Sequence, residues 1–82
     1  ENIQEIESKD ISEGGICIST KSKYSPGSTV VLQLFLGNKL INIEGRVIWE
    51  KQSGNNLYDL GIKYIKASEE EIKEIKNYIE EF

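Results

Sequence analysis

The chain of 82 residues has no histidine and no methionine, and only one cysteine, one proline, one tryptophan and one arginine. Without histidine there is no histidine-based catalytic triad, and a single thiol supplies neither a Cys/His zinc site nor an intrachain disulfide. A reducing, cytoplasmic setting fits that cysteine usage. Positive charge is also in deficit, with ten Lys plus Arg against fourteen Asp plus Glu and a net charge of −4. Proteins that bind DNA or RNA place an excess of cations against phosphates, so neither is an expected partner. No apolar run approaches the roughly 20 residues that span a bilayer, and no signal-peptide pattern opens the chain, so no membrane insertion is expected. At 9.3 kDa the expectation is one domain over residues 1–82, cut from a longer protein.

What remains is mostly β-patterned. Glu1 to Lys9 is polar around Ile3 and Ile6 and reads as a frayed strand or a tail. Asp10-Ile11-Ser12-Glu13-Gly14-Gly15 carries strong turn chemistry, and Ile16 to Thr20 then alternates as a short strand with Cys17 turned away from Ile16 and Ile18. Lys21 to Gly27 is a polar loop. Thr29 to Leu36 puts Val30, Leu32, Leu34 and Leu36 on one face, and Gly37-Asn38 sits where a two-residue hairpin turn belongs. In the long run from Lys39 to Lys51, Ile41, Ile43, Gly45, Val47 and Trp49 share the inward face, with Asn42, Glu44, Arg46 and Glu50 outward. Gln52 to Asn56 is a turn cluster, and Leu57 to Ile65 resumes with Tyr58, Leu60, Ile62 and Tyr64 aligned. The period changes at the end. Ser68 and Glu71 form a capping box, and Ile72, Ile75, Ile79 and Phe82 recur at helical spacing on a helix that needs docking to persist. The fold class is mainly β: a small antiparallel barrel, open or short of its first strand, closed by one C-terminal α-helix.

The Asp10-to-Gly15 stretch, together with three segments downstream of it, resembles the PilZ domain family. Asp10, Ser12 and Gly15 fill the defined places of the Asp/Asn-x-Ser-x-x-Gly signature, and Gly14 completes a double glycine. Ser25-Pro26-Gly27 before a strand, Gly45-Arg46-Val47-Ile48-Trp49 within the long strand, and Leu60-Gly61-Ile62-Lys63-Tyr64 before a helix come in the family's order. The resemblance implies a small β-barrel that binds the bacterial second messenger cyclic di-GMP, with Asp10, Ser12, Gly14 and Gly15 facing the ligand and Trp49 beside a base. Such chemistry is reasonable. A carboxylate accepts from both donors on the guanine edge, a hydroxyl reaches ribose or phosphate, and glycines allow close approach and φ > 0. The plain alternative is that Asp10 to Gly15 is a turn leading into a strand, with no ligand.

One departure stands out. Dinucleotide-binding members of the family carry an Arg-x-x-x-Arg motif well upstream of the aspartate, whereas nine residues precede Asp10 here and Arg46 is the sole arginine. The segment was left out of this chain, or another chain supplies it, or the domain is degenerate. The other candidates have ordinary explanations: Arg46 as a surface ion pair between Glu44 and Glu50, Trp49 as a core or barrel-rim residue, Lys21 and Lys23 as solvated loop cations, and Cys17 as a small packed thiol. Glu70, Glu74 and Glu81 form a solvent-facing acidic side of the helix. No catalytic constellation, metal site or cofactor is expected, and the protein is not expected to be an enzyme. Two functions stand as expectations. One is a cyclic di-GMP sensor that couples the messenger level to a partner or neighbouring domain. The other is a degenerate domain that recruits protein, itself included, through an exposed sheet edge.

Overall fold

The structure is a computed structural model that describes residues 7–36 and 38–80, the side chains of residues 7–10 lying outside that description. Ile3, Ile6, Gly37, Glu81 and Phe82 lie outside the described residues. Five strands and a helix succeed one another: β1 (Glu7–Ile11), β2 (Gly15–Thr20), β3 (Thr29–Leu36), β4 (Lys39–Gly54), β5 (Leu57–Lys66) and α1 (Glu69–Glu80). All neighbours are antiparallel, in the order β1-β2-β5-β4-β3. The last strand is therefore the central one. Two hairpins, β1–β2 and β3–β4, are joined side by side only when β5 enters between them.

Alternation places the core. Val30, Leu32, Leu34 and Leu36 of β3 are all buried, as are Ile43 and Val47 of β4, Ile16 and Ile18 of β2, and Leu60 and Ile62 of β5. Each is the apolar half of a period-two pattern, so one face of the sheet is packed and the other is open to solvent. The helix covers the packed face: Ile75 is 0% exposed, and Ile72, Tyr78 and Ile79 pack beside it. Its start is the expected capping box, with the Ser68 N–H donating to Glu71 Oε1 at 2.8 Å and the Glu71 N–H donating to Ser68 Oγ at 3.1 Å. Lys39 Nζ reaches Glu74 Oε1 at 3.1 Å and ties the β3–β4 hairpin to the helix, so the acidic side is not wholly left to solvent.

Turn chemistry behaves as its residues require. Ser25-Pro26-Gly27-Ser28 closes with the Ser28 N–H on the Ser25 carbonyl at 3.1 Å, Gly27 taking φ 95° after the fixed φ of proline. The turn then docks on β4, the Gly27 N–H donating to the Val47 carbonyl at 2.7 Å. Three local expectations are corrected. Asp10 and Ile11 belong to β1, not to the turn, because Ile11 pairs with Ile16 and Asp10 with Cys17. Of the two readings of the N-terminal stretch, a strand or a tail, the strand holds over Glu7 to Lys9. The β4–β5 connection is only Asn55-Asn56, since Gly54 still pairs with Leu57 and Asn56 takes φ 54°, a conformation asparagine tolerates. Most consequential is a bulge in β4. Val47 pairs with Ile62 and Trp49 with Gly61, so two steps on β4 match one on β5 and Ile48 is the extra residue. The bulge reverses the alternation beyond it: Trp49 joins the open face at 45% exposure instead of the core, and Glu50 turns from the open face to accept the Tyr24 N–H at 2.8 Å.

One buried polar atom lacks compensation. The Tyr64 hydroxyl is shielded from solvent with no hydrogen-bond partner among the described residues, and burial pushes its pKa up to about 12. Between the ordinary tyrosine value near 10 and that raised value, the unfolded chain ionises and the folded one does not. Stability is therefore lost as pH rises through that window. Tyr64→Phe is expected to be more stable by about 1 kcal/mol at neutral pH, the cost of the unpaired hydroxyl being removed. Its advantage should widen above about pH 10, as measured by urea unfolding of both proteins across pH.

Candidate functional site

The open face carries the site, and the sheet register builds it. Asp10 pairs with Cys17, Cys17 with Gly61, and Gly61 with Trp49, making one transverse row across β1, β2, β5 and β4. Beside it runs a second row, Gly15–Lys63–Arg46–Thr29. Adjacent strands lie about 4.8 Å apart, so Cys17 and Trp49 stand about 10 Å from each other across Gly61. That gap is bare by necessity. A Cβ on Gly61 would run into the Trp49 indole, whose pyrrole edge occupies the space over the glycine. Gly15 is constrained in the same way, since a Cβ there would strike the Ile62 carbonyl.

At the end of the rows sits the turn between β1 and β2. Ser12 organises it: its N–H donates to the Gly15 carbonyl at 2.9 Å, and its hydroxyl donates to the same carbonyl at 3.2 Å. The same hydroxyl oxygen accepts the Gly14 and Gly15 N–H groups, each at 3.3 Å. The Gly14 carbonyl accepts the Tyr64 N–H at 3.1 Å, which anchors the turn to β5. Neither Gly14 nor Gly15 adopts positive φ, contrary to the expectation for a double glycine. Gly14 has open space where a Cβ would stand, so the fold itself does not demand glycine there.

Between this turn and the indole lies a shallow, open cavity of about 390 Å³. Ser12, Gly14, Gly15 and Trp49 all border it, together with Cys17, Ile48, Gly61 and Lys63. Four of the five candidate ligand residues thus meet, although Trp49 is distant from the turn in sequence. The fifth, Asp10, is placed by its backbone in line with Cys17 and Gly61, its side chain lying outside the description. Lys21 and Lys23 do not border the cavity; they lie beyond the other end of β2, about 17 Å along the strand from Gly15. Arg46 forms no ion pair with Glu44 or Glu50 among the described residues. Gly61 and Lys63 also line the cavity, and nothing in the sequence pattern singles them out. Their shared parity on one strand was legible, but only strand pairing puts that parity beside Cys17 and Trp49.

An exposed indole, a bare glycine floor, a polar turn and one lysine make a surface for a flat aromatic ring with attached anion. Among the described lining residues there is no carboxylate. No described group of His, Cys, Asp or Glu side chains gathers as a metal site, and no described helix is long and apolar enough to cross a membrane.

Trp49 is the sole tryptophan, so its emission reports on this site alone. Gly61→Ala is expected to lift the indole off β5, shifting the emission to longer wavelength. The overpacking should also lower stability by about 1–3 kcal/mol, measured by fluorescence and thermal unfolding. An unchanged spectrum would mean that the indole does not rest on Gly61.

The family model for the PilZ domain matches residues 2–81, nearly the whole chain. Neither the comparison with curated proteins nor that with solved structures returned a match.

Proposed function

This chain belongs to the PilZ domain family, and from that premise we propose that it binds cyclic di-GMP on the open face of its sheet. The observation that carries the proposal is the convergence of the Ser12–Gly15 turn and Trp49 on one cavity floored by Gly61. A guanine lies on the exposed indole. Asp10, at the far end of the Trp49 row and about 14 Å away across three strand spacings, accepts the two donors on the edge of the dinucleotide's other guanine. The Gly14 position, open and uncrowded, lets ribose or phosphate lie against the turn backbone. Binding, not catalysis, is the role, as for PilZ domains in general. The output passes to a partner or neighbouring domain. Glu13 of the ligand turn stands 3.9 Å from Lys76 of α1 and offers one contact through which an ordered turn bears on the helix.

A second reading has its own observation. Among the described strands β3 is an edge, pairing only with β4, and its eight residues contain no charge and no proline. Phe35, 72% exposed, stands opposite Leu40, 49% exposed, on the adjoining open face. Natural edges are guarded by charges or proline, and this one is not, which favours self-association through added strand pairing.

Titration of cyclic di-GMP monitored by Trp49 fluorescence tests the first reading. Asp10→Ala should weaken binding at least tenfold, since a charge-assisted hydrogen bond contributes about 1.5–3 kcal/mol and tenfold corresponds to about 1.4 kcal/mol. No response in the intact protein, including any upstream arginine segment, would sink it. The second reading predicts a species heavier than 9.3 kDa in sedimentation, returning to monomer when Phe35→Lys places a charge on the edge.

A further inference from the structure

Two cations stand opposed beside the cavity, and no partner within the described fold accounts for them. Arg46 of β4 and Lys63 of β5 are direct cross-strand partners, and both are exposed. Side chains so opposed start about 5 Å apart, and like charges at that separation destabilise the pairing. Carboxylates are in excess in this chain, so an ion-pairing arrangement was available. Two ion pairs among the described residues, Lys39–Glu74 and Lys76–Glu13, do not involve Arg46 or Lys63. Glu44, two residues before Arg46, is opposed to Lys66.

Their position is informative. Among the described residues that line the cavity, Lys63 is the one charged side chain. It stands next to Gly15 on one side, which has no side chain to screen it from the turn, and next to Arg46 on the other. Along β5 it is two residues from Gly61, about 7 Å from the glycine that carries the indole. That separation is the reach of one nucleotide from its base to its phosphate.

We propose that Arg46 and Lys63 form an anion site at the margin of the cavity, taking one phosphodiester of the cyclic dinucleotide whose base rests on Trp49. The inference rests on the cyclic di-GMP reading and assigns part of the phosphate recognition to cations within this chain. Arginine supplies a planar fork that matches phosphate oxygens, and lysine supplies a compact point charge. A bound phosphate between them turns a repulsive pair into a bridged one. The pair is thus costly in the free protein and favourable in the complex, as a binding group is and a structural ion pair is not.

The test compares wild type with Lys63→Gln, Arg46→Gln and, as a control on the helix, Lys73→Gln. Cyclic di-GMP is titrated into each at low and high salt, with Trp49 fluorescence as the readout. Each of the first two substitutions should weaken binding about tenfold or more and flatten its salt dependence, while Lys73→Gln leaves affinity unchanged. Without ligand, Lys63→Gln and Arg46→Gln should unfold at a temperature no lower than wild type, because a repulsion has been removed. Binding by wild type that either variant retains in full would overturn this inference and leave the functional reading standing. No binding by wild type would remove the functional reading and this inference with it.

Discussion

The central placement of β5 is the constraint on which the rest of the domain depends. β2 and β4 each need a partner on the side away from their own hairpin, and β5 provides both. Its Leu60 and Ile62 lie at the middle of the core, between Ile16 and Ile18 of β2 and Val47 of β4. On the reverse face its Gly61 and Lys63 lie at the middle of the site. One strand therefore sends its even-numbered Leu60 and Ile62 into the core and lends its odd-numbered Gly61 and Lys63 to the cavity on the reverse face, a direct consequence of the two-residue period.

The division of labour between faces explains why the site is open and polar without endangering the fold. The packed face is covered by α1 through Ile75, and the capping box and the Lys39–Glu74 contact hold that helix in place. The open face is then free to keep features that would be defects in a core: a bare glycine, an exposed indole and two opposed cations. The β4 bulge links the two faces. It leaves Val47 in the core and passes Trp49 to the opposite surface, so the same strand finishes one task and begins another.

The family resemblance and the geometry bear on different questions. The family membership gives the type of module, and the strand register gives which side chains share a surface. Ser12 illustrates the difference. Its hydroxyl is engaged by the turn's own backbone, so it shapes the loop whether or not it also meets a ligand. Gly14 is the converse case: the fold leaves it room for a side chain, and only something lying on the turn would need that room.

Much of this architecture was legible in the residues themselves. Alternation in Thr29–Leu36 and through Val47 named the buried face correctly, and Ser68 with Glu71 marked the helix start, because these signals are local and repeat within a few residues. The turn residues Pro26 and Gly27 were equally plain. Three things were decided only by tertiary structure. The insertion of β5 between β2 and β4 depends on which apolar faces pack best together, a choice among segments remote in sequence. The bulge at Ile48 is a mismatch between two strands, and no property of β4 alone reveals it. The cavity and the Arg46–Lys63 pair arise from those two choices. Periodicity tells a residue's face, but which neighbour it meets there is set by pairing, and pairing is an energy of the whole sheet.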